Sequence, residues 1–254
     1  ISAMNNTLIA QRFAQAQHSY DQHAVAQRHV AQHLLHLMQQ HIPQPHMQRA
    51  LEIGCGSGLF SHAFLQHYGV DQLFLNDLYP EVKQHFPETE QFIWGIGDIE
   101  QLPLPQSLDV VVSCSALQWI QELPALIRKV ATALNPSGYF CFASYAEDNL
   151  KEIKVLTGQG LDYLPLETVA NILQAQGFEL LMANEERIQL NFAQPRDVLK
   201  HMKSTGVQAT AQGFRWSKCL LAQFEQHYAQ FQIPETGSYP LTYHPIYLIA
   251  RKAL

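Results

Sequence analysis

The chain has 254 residues, of which 47% are hydrophobic and 15% charged, with a formal net charge of −6 at pH 7. That length and balance describe a soluble globular protein able to bury a full core. No apolar run approaches the ~20 residues of a membrane span, and the acidic balance argues against wholesale nucleic-acid binding. The cysteines Cys55, Cys114, Cys141 and Cys219 lie far apart without a C-x-x-C pair. Their placement favours a reducing, cytoplasmic setting, and the polar N-terminus lacks a signal-peptide pattern. Ile1-Ser2-Ala3, ahead of Met4, reads as a vector-type remnant.

Residues Leu8 to His41 contain neither Gly nor Pro, and Phe13, Ala16, Val30, Leu34, Leu37 and Met38 recur at helix-like intervals. One or two amphipathic helices are expected there, with a break near Ser19-Tyr20-Asp21. His29, His33 and His36 would share a helical face. With no acid or cysteine close by in sequence, they read as solvated histidines rather than metal ligands. Strands are expected at Ala50 to Ile53, Leu73 to Leu75, Phe92 to Trp94, Leu108 to Cys114 and Tyr139 to Ser144. Helices are expected at Leu59 to Tyr68, Leu123 to Leu134 and Leu166 to Gln176. A long strand from Phe178 to Phe192 and a last one from Leu241 to Arg251 complete the set. A helical block from Pro195 to Phe231 lies between those two and is too long for a hairpin loop. Alternating strands and helices with short connections give a doubly wound α/β fold on a mostly parallel, seven-stranded sheet. The expected units are a helical lid over 1–45, a core over 46–194, a helical insertion over 195–238 and a last core strand over 239–254.

The glycine run carries the chemistry. After the first strand comes Glu52-Ile53-Gly54-Cys55-Gly56-Ser57-Gly58, and then a helix. Strand, glycine turn and helix form the entrance to a nucleotide site. The dinucleotide fingerprint G-x-G-x-x-G does not fit, because the third glycine comes one residue early. Ligands in such sheets bind beyond the carboxyl ends of the strands. Asp77 ends strand two about 20 residues past the loop, where an acid can accept from both ribose hydroxyls. Asp98 follows strand three and could accept from an adenine amino group while Ile99 packs on the ring. Cys114, Ser115 and Ala116 follow strand four. An acid two residues before G-x-G-x-G resembles the first motif of class I S-adenosylmethionine (SAM) methyltransferases. The resemblance implies SAM as cofactor and S-adenosylhomocysteine as product, held by Glu52, Gly54, Cys55, Gly56, Gly58, Asp77, Leu78, Asp98, Ile99, Cys114 and Ser115. A nicotinamide-dependent reductase shares Asp77, but it leaves the early glycine unexplained and lacks a hydride-transfer pair.

Further segments resemble the malonyl-acyl-carrier-protein O-methyltransferases of biotin synthesis. They are Arg12-Phe13, Ser19-Tyr20-Asp21-Gln22-His23-Ala24, Ala116-Leu117-Gln118-Trp119, Asn149-Leu150-Lys151-Glu152-Ile153, Leu199 to Val207, Leu241-Thr242-Tyr243 and Ala250-Arg251-Lys252. Departures are Gln208 and His244-Pro245. The resemblance implies methylation of the free carboxylate of a malonyl thioester on acyl carrier protein. Tyr20, Gln118 and Trp119 are the candidate catalytic residues, with Tyr20 closing the site from an N-terminal helix. Such a carboxylate is already ionised near neutrality, so a missing acid–base dyad is expected. Arg196, Lys200 and Lys203 share a helical face by spacing and could steer an acidic carrier. No cation stands out as holder of the malonyl carboxylate; Arg187 and His201 both stay open. A carboxyl methyltransferase for a free small acid and a non-catalytic SAM-binding protein remain alternatives.

Overall fold

The computed structural model describes residues 25–205 and 216–254. In chain order the elements are α1 (Val25–His41), β1 (His46–Ile53), α2 (Leu59–His67), β2 (Gly69–Asp77), β3 (Phe92–Ile96), β4 (Leu108–Cys114), α3 (Leu123–Ala133) and β5 (Leu134–Tyr145). Then come α4 (Lys151–Thr157), α5 (Leu166–Ala175), β6 (Phe178–Glu185), β7 (Ile188–Phe192), α6 (Pro195–Ser204), α7 (Lys218–Tyr228), β8 (Tyr239–Tyr243) and β9 (Pro245–Lys252). Seven strands form one sheet in the order β3-β2-β1-β4-β5-β9-β6, while β7 and β8 make a separate two-stranded sheet. The strands from β3 to β5 run parallel, and β9 lies antiparallel to both β5 and β6.

Local sequence explains the layers. Val110, Val111 and Val112 are fully buried in β4, which lies between β1 and β5 and is covered on both faces. Val110 and Val112 pack with Ala50 beneath α1 and α2, and Val111 packs with Leu51 and Ile53 on the opposite face beneath α3 and α5. On α1, Val30, Leu34 and Met38 recur every four residues and are all fully buried. This helix packs on β4, β5 and β9. The second half of the segment expected as a lid is therefore a helix of the core, and its first half lies outside the described residues.

The expected long strand at 178–192 and the last strand at 241–251 are each divided. The division occurs at Glu186-Arg187 and at His244, respectively. His244 is fully buried; its Nδ1 accepts from the Asp148 N–H at 3.1 Å and its Nε2 bonds Glu185 Oε2 at 2.8 Å. Beside it, Asp148 pairs with Arg187 Nε at 2.9 Å. These polar contacts hold the chain at the point where it leaves the small sheet and enters the large one. A pattern of alternating hydrophobicity cannot show such a break, because both halves continue it.

The insertion has its own core, in which Val198 and Met202 of α6, Phe224 and Tyr228 of α7, and Leu241 and Tyr243 of β8 pack together. Because β7 pairs with β8, the unit over the main sheet starts earlier and ends later than 195–238. His29 meets an acid after all: Glu186, 157 positions away, lies 2.7 Å from its Nε2. Among the described residues no group of His, Cys, Asp and Glu could hold a metal ion, and no helix is long and apolar enough to cross a membrane.

Candidate active site

A cleft opens where strand order reverses between β1 and β4, beyond their carboxyl ends. The glycine loop forms its floor. Gly54, Gly56 and Gly58 all have positive φ (72°, 52° and 83°), a region that disfavours side chains. A Cβ on Gly54 would lie 2.4 Å from Ala116 Cβ, so the loop after β1 touches the loop after β4. A Cβ on Gly56 would meet nothing within 4 Å, which leaves backbone open to the cleft.

Asp77 fixes this loop. Its carboxylate accepts from the N–H of Gly56 at 2.8 Å, from Leu78 at 2.7 Å, and from Tyr79. Burial nevertheless raises its pKa to about 6, with those N–H bonds opposing the rise. Glu52 lies deeper, 1% exposed, and accepts a bond from the Ser61 hydroxyl. Burial drives its pKa from 4.5 to about 8; the Ser61 bond opposes the shift and the Asp77 charge adds to it. Near neutral pH, Glu52 is thus mostly protonated and Asp77 ionised. A cationic ligand would draw the second carboxyl into its charged form.

The loop after β3 is anchored too. Lys129 Nζ donates to the carbonyls of Ile99 (3.0 Å) and Leu102 (2.6 Å), and Glu100 accepts from the N–H groups of Gln121 and Glu122 ahead of α3. Asp98 therefore sits on a braced turn. At the other end, Ser115 has φ 60°, unusual for a residue with a side chain. Its hydroxyl lies 3.0 Å from the Tyr145 hydroxyl, its carbonyl accepts from Gln118 Nε2 at 2.8 Å, and its N–H donates to Ala143 O at 2.9 Å.

Most residues singled out from the sequence meet here. Glu52 lines the cleft from β1, Gly54, Cys55 and Gly56 from the glycine loop, Asp77 and Leu78 from the end of β2 and just past it, Asp98 and Ile99 after β3, and Cys114, Ser115 and Trp119 from the end of β4 and beyond. Burial raises the Cys114 thiol to about 12, so it stays neutral and lines the wall as a small apolar group. Two residues stand differently. Gly58 caps α2 and does not line the cleft; a Cβ there would meet His62 at 2.7 Å and Phe86 at 3.0 Å. Gln118 turns away within the short helical turn Leu117–Trp119, where its amide bonds Ser115 O and the Ser144 hydroxyl. It supports the strained Ser115 from behind. Tyr20 lies outside the described residues. Of the two open cations, Arg187 is paired with Asp148, and His201 Nε2 bonds the Tyr243 hydroxyl at 2.9 Å.

Sequence reasoning missed Gln27 and Ala31 of α1, Tyr79 and Ile120, which also line the cleft. Tyr79, two residues past the strand-end acid, was the most legible of these. Gln27 carried no signal among so many glutamines.

The donor and acceptor set suits SAM. Open backbone faces the cleft at Gly56, one ionised acid and one readily ionised acid can meet a ribose and a cation, and apolar Ile99 and Leu78 offer a surface for a flat base. Residues 51–142 match the family model described as a methyltransferase domain. The chain is 47% identical over 251 residues, 98% of each protein, to the malonyl-acyl-carrier-protein O-methyltransferase of Acinetobacter baylyi. It is 39% identical to the enzyme of that name from Bacteroides fragilis, covering 99% of this chain and about half (51%) of that relative. A crystal structure described as a putative methyltransferase from Bacillus halodurans shares the fold, with TM-score 0.64 and 16% identity over 87% of this chain and 99% of that one. These matches decide against the reductase reading. The chain belongs to the malonyl-acyl-carrier-protein O-methyltransferase family and is a methyltransferase with SAM as its cofactor.

Proposed function

We propose that this chain methylates the free carboxylate of a malonyl thioester carried by acyl carrier protein, at the start of pimeloyl synthesis. Near-full-length similarity to a relative of that name carries the reading. SAM supplies a methyl group on a sulfonium, ready for attack by a nucleophile. The protein's part is to hold the reactants: the glycine loop, Asp77 and Asp98 bind the nucleoside end, and Glu52, Cys114 and Ser115 border the methionine end. A malonyl carboxylate is ionised at neutral pH, so it needs no proton removed. Alignment of the reactants and exclusion of water by Trp119 and Ile120 then supply most of the rate.

The carrier would dock on α6. Arg196, Lys200 and Lys203 are exposed on one face, while Val198, His201 and Met202 are buried on the other. Arg196 shares its charge with Glu225 at 3.3 Å, which leaves Lys200 and Lys203 as the stronger steering charges. A labelled-methyl assay with malonyl carrier protein, malonyl-coenzyme A and free malonate tests this. The carrier should be methylated with the highest kcat/KM, and a strong preference for the free acid would reject the carrier reading.

A further inference from the structure

Gln27 sits on α1 in the wall of the cleft, 5% exposed. Among the described residues, its Oε1 is the one buried side-chain nitrogen or oxygen without a hydrogen-bond partner. Such an acceptor is costly to leave unpaired, and in native proteins it normally marks a missing partner. The rest of the amide is held, because Gln27 is hydrogen-bonded to the Tyr243 hydroxyl. Tyr243 is 1% exposed and is fixed in turn by His201 Nε2 of α6 at 2.9 Å. The orphan oxygen therefore has a fixed position, set by residues of the insertion.

The cofactor can donate from its adenine amino group, its ribose hydroxyls and its methionine ammonium. Asp98, just after β3, and Asp77, at the end of β2, stand ready for the first two respectively. Helix α1 packs instead on β4, β5 and β9, and β4 ends at Cys114, which lines the cleft with Ser115, Gln27 and Ala31. An ionised malonyl carboxylate has no proton to give. We propose that Gln27 Oε1 accepts a hydrogen bond from the cofactor's methionine ammonium, with Tyr243 as the residue that positions the amide. The proposal rests on the reading above that the methionine end is bordered by Glu52, Cys114 and Ser115.

The same segment would thus serve both reactants. The outer face of α6 carries the lysines proposed for the carrier, and its inner face anchors the acceptor for the cofactor.

Calorimetry with two ligands tests this: S-adenosylhomocysteine, and 5′-methylthioadenosine, which keeps the nucleoside and thioether but lacks the amino-acid end. Gln27→Leu should weaken S-adenosylhomocysteine binding by about tenfold or more, the range of a charged hydrogen bond, and leave methylthioadenosine binding unchanged. Gln27→Glu keeps an acceptor and should keep the preference, and Tyr243→Phe should lose part of it. Unchanged methylthioadenosine affinity in each variant shows that the cleft is still folded. Equal loss for both ligands, or no loss, in Gln27→Leu would overturn the proposal. So would a loss in Gln27→Glu as large as in Gln27→Leu, since the amide would then be donating to the carboxylate. A raised KM for malonyl carrier protein alone would move Gln27 to the substrate and also overturn it. Wild-type protein that binds the two ligands equally would instead reject the placement of the methionine end.

Discussion

Glu52 should make cofactor binding release a proton. In the ligand-free protein its carboxyl is fully buried and its pKa stands near 8. At pH 7 about a tenth of the molecules carry it ionised, and at pH 6 about a hundredth. A bound ammonium favours the charged carboxylate, so binding of S-adenosylhomocysteine pulls the group to its ionised form. Apparent affinity for S-adenosylhomocysteine at pH 7 should therefore be about tenfold below its value at high pH. Below pH 7 the slope steepens as Asp77, with a pKa near 6, takes up its own proton. Calorimetry at pH 7 in two buffers of different ionisation enthalpy would measure nearly one proton released. Glu52→Gln keeps an acceptor for Ser61 and removes the titration, and the ligand's own amino group titrates alike in both proteins. The variant should release almost none. Stability gives a second readout. The folded protein holds this proton more tightly than the unfolded chain, so from pH 4.5 to about 8 the ligand-free protein loses stability as pH rises. The loss should be absent in Glu52→Gln and offset by ligand. Equal proton release by the two proteins would refute the assignment.

Gly54→Ala should be more damaging than Gly56→Ala. Both force a side chain into positive φ, costing about 1–2 kcal/mol, but only the first drives a Cβ to 2.4 Å from Ala116. The overpacking should add roughly 1–3 kcal/mol, seen as a lower urea midpoint; equal midpoints would contradict the tight approach of the two loops. Lys200→Glu with Lys203→Glu should raise the KM for malonyl carrier protein by about tenfold and flatten its salt dependence. S-adenosylhomocysteine affinity should not change, and an unaltered KM would return that face to a solvated role.

Much of the site was legible because strand ends are legible. Asp77, Asp98 and Cys114 each follow a short apolar run, and in a parallel sheet those positions converge. The direction of Gln118 was not legible, because one helical turn aims its amide at Ser115 and Ser144 rather than into the cleft. Gly58 fits the cofactor motif by spacing, yet its neighbours Phe86 and His62 explain it without a ligand. The segments that resembled the family outside the glycine loop also have a physical meaning. Glu152 accepts from the Thr242 N–H and hydroxyl, Asn149 accepts from the His244 N–H, and His201 meets Tyr243. Three distant stretches thus form one buried polar joint between sheet and insertion. Local sequence shows the three stretches but not their meeting, since each partner is 42 to 95 positions away.

The most direct test is mass spectrometry of the carrier protein after incubation with enzyme and SAM. Malonyl carrier protein should gain a single methyl group that mild alkaline hydrolysis removes as an ester, whereas acetyl carrier protein, which lacks the free carboxylate, should gain none. A methyl group that survives hydrolysis, or equal transfer to the acetyl form, would contradict carboxylate methylation.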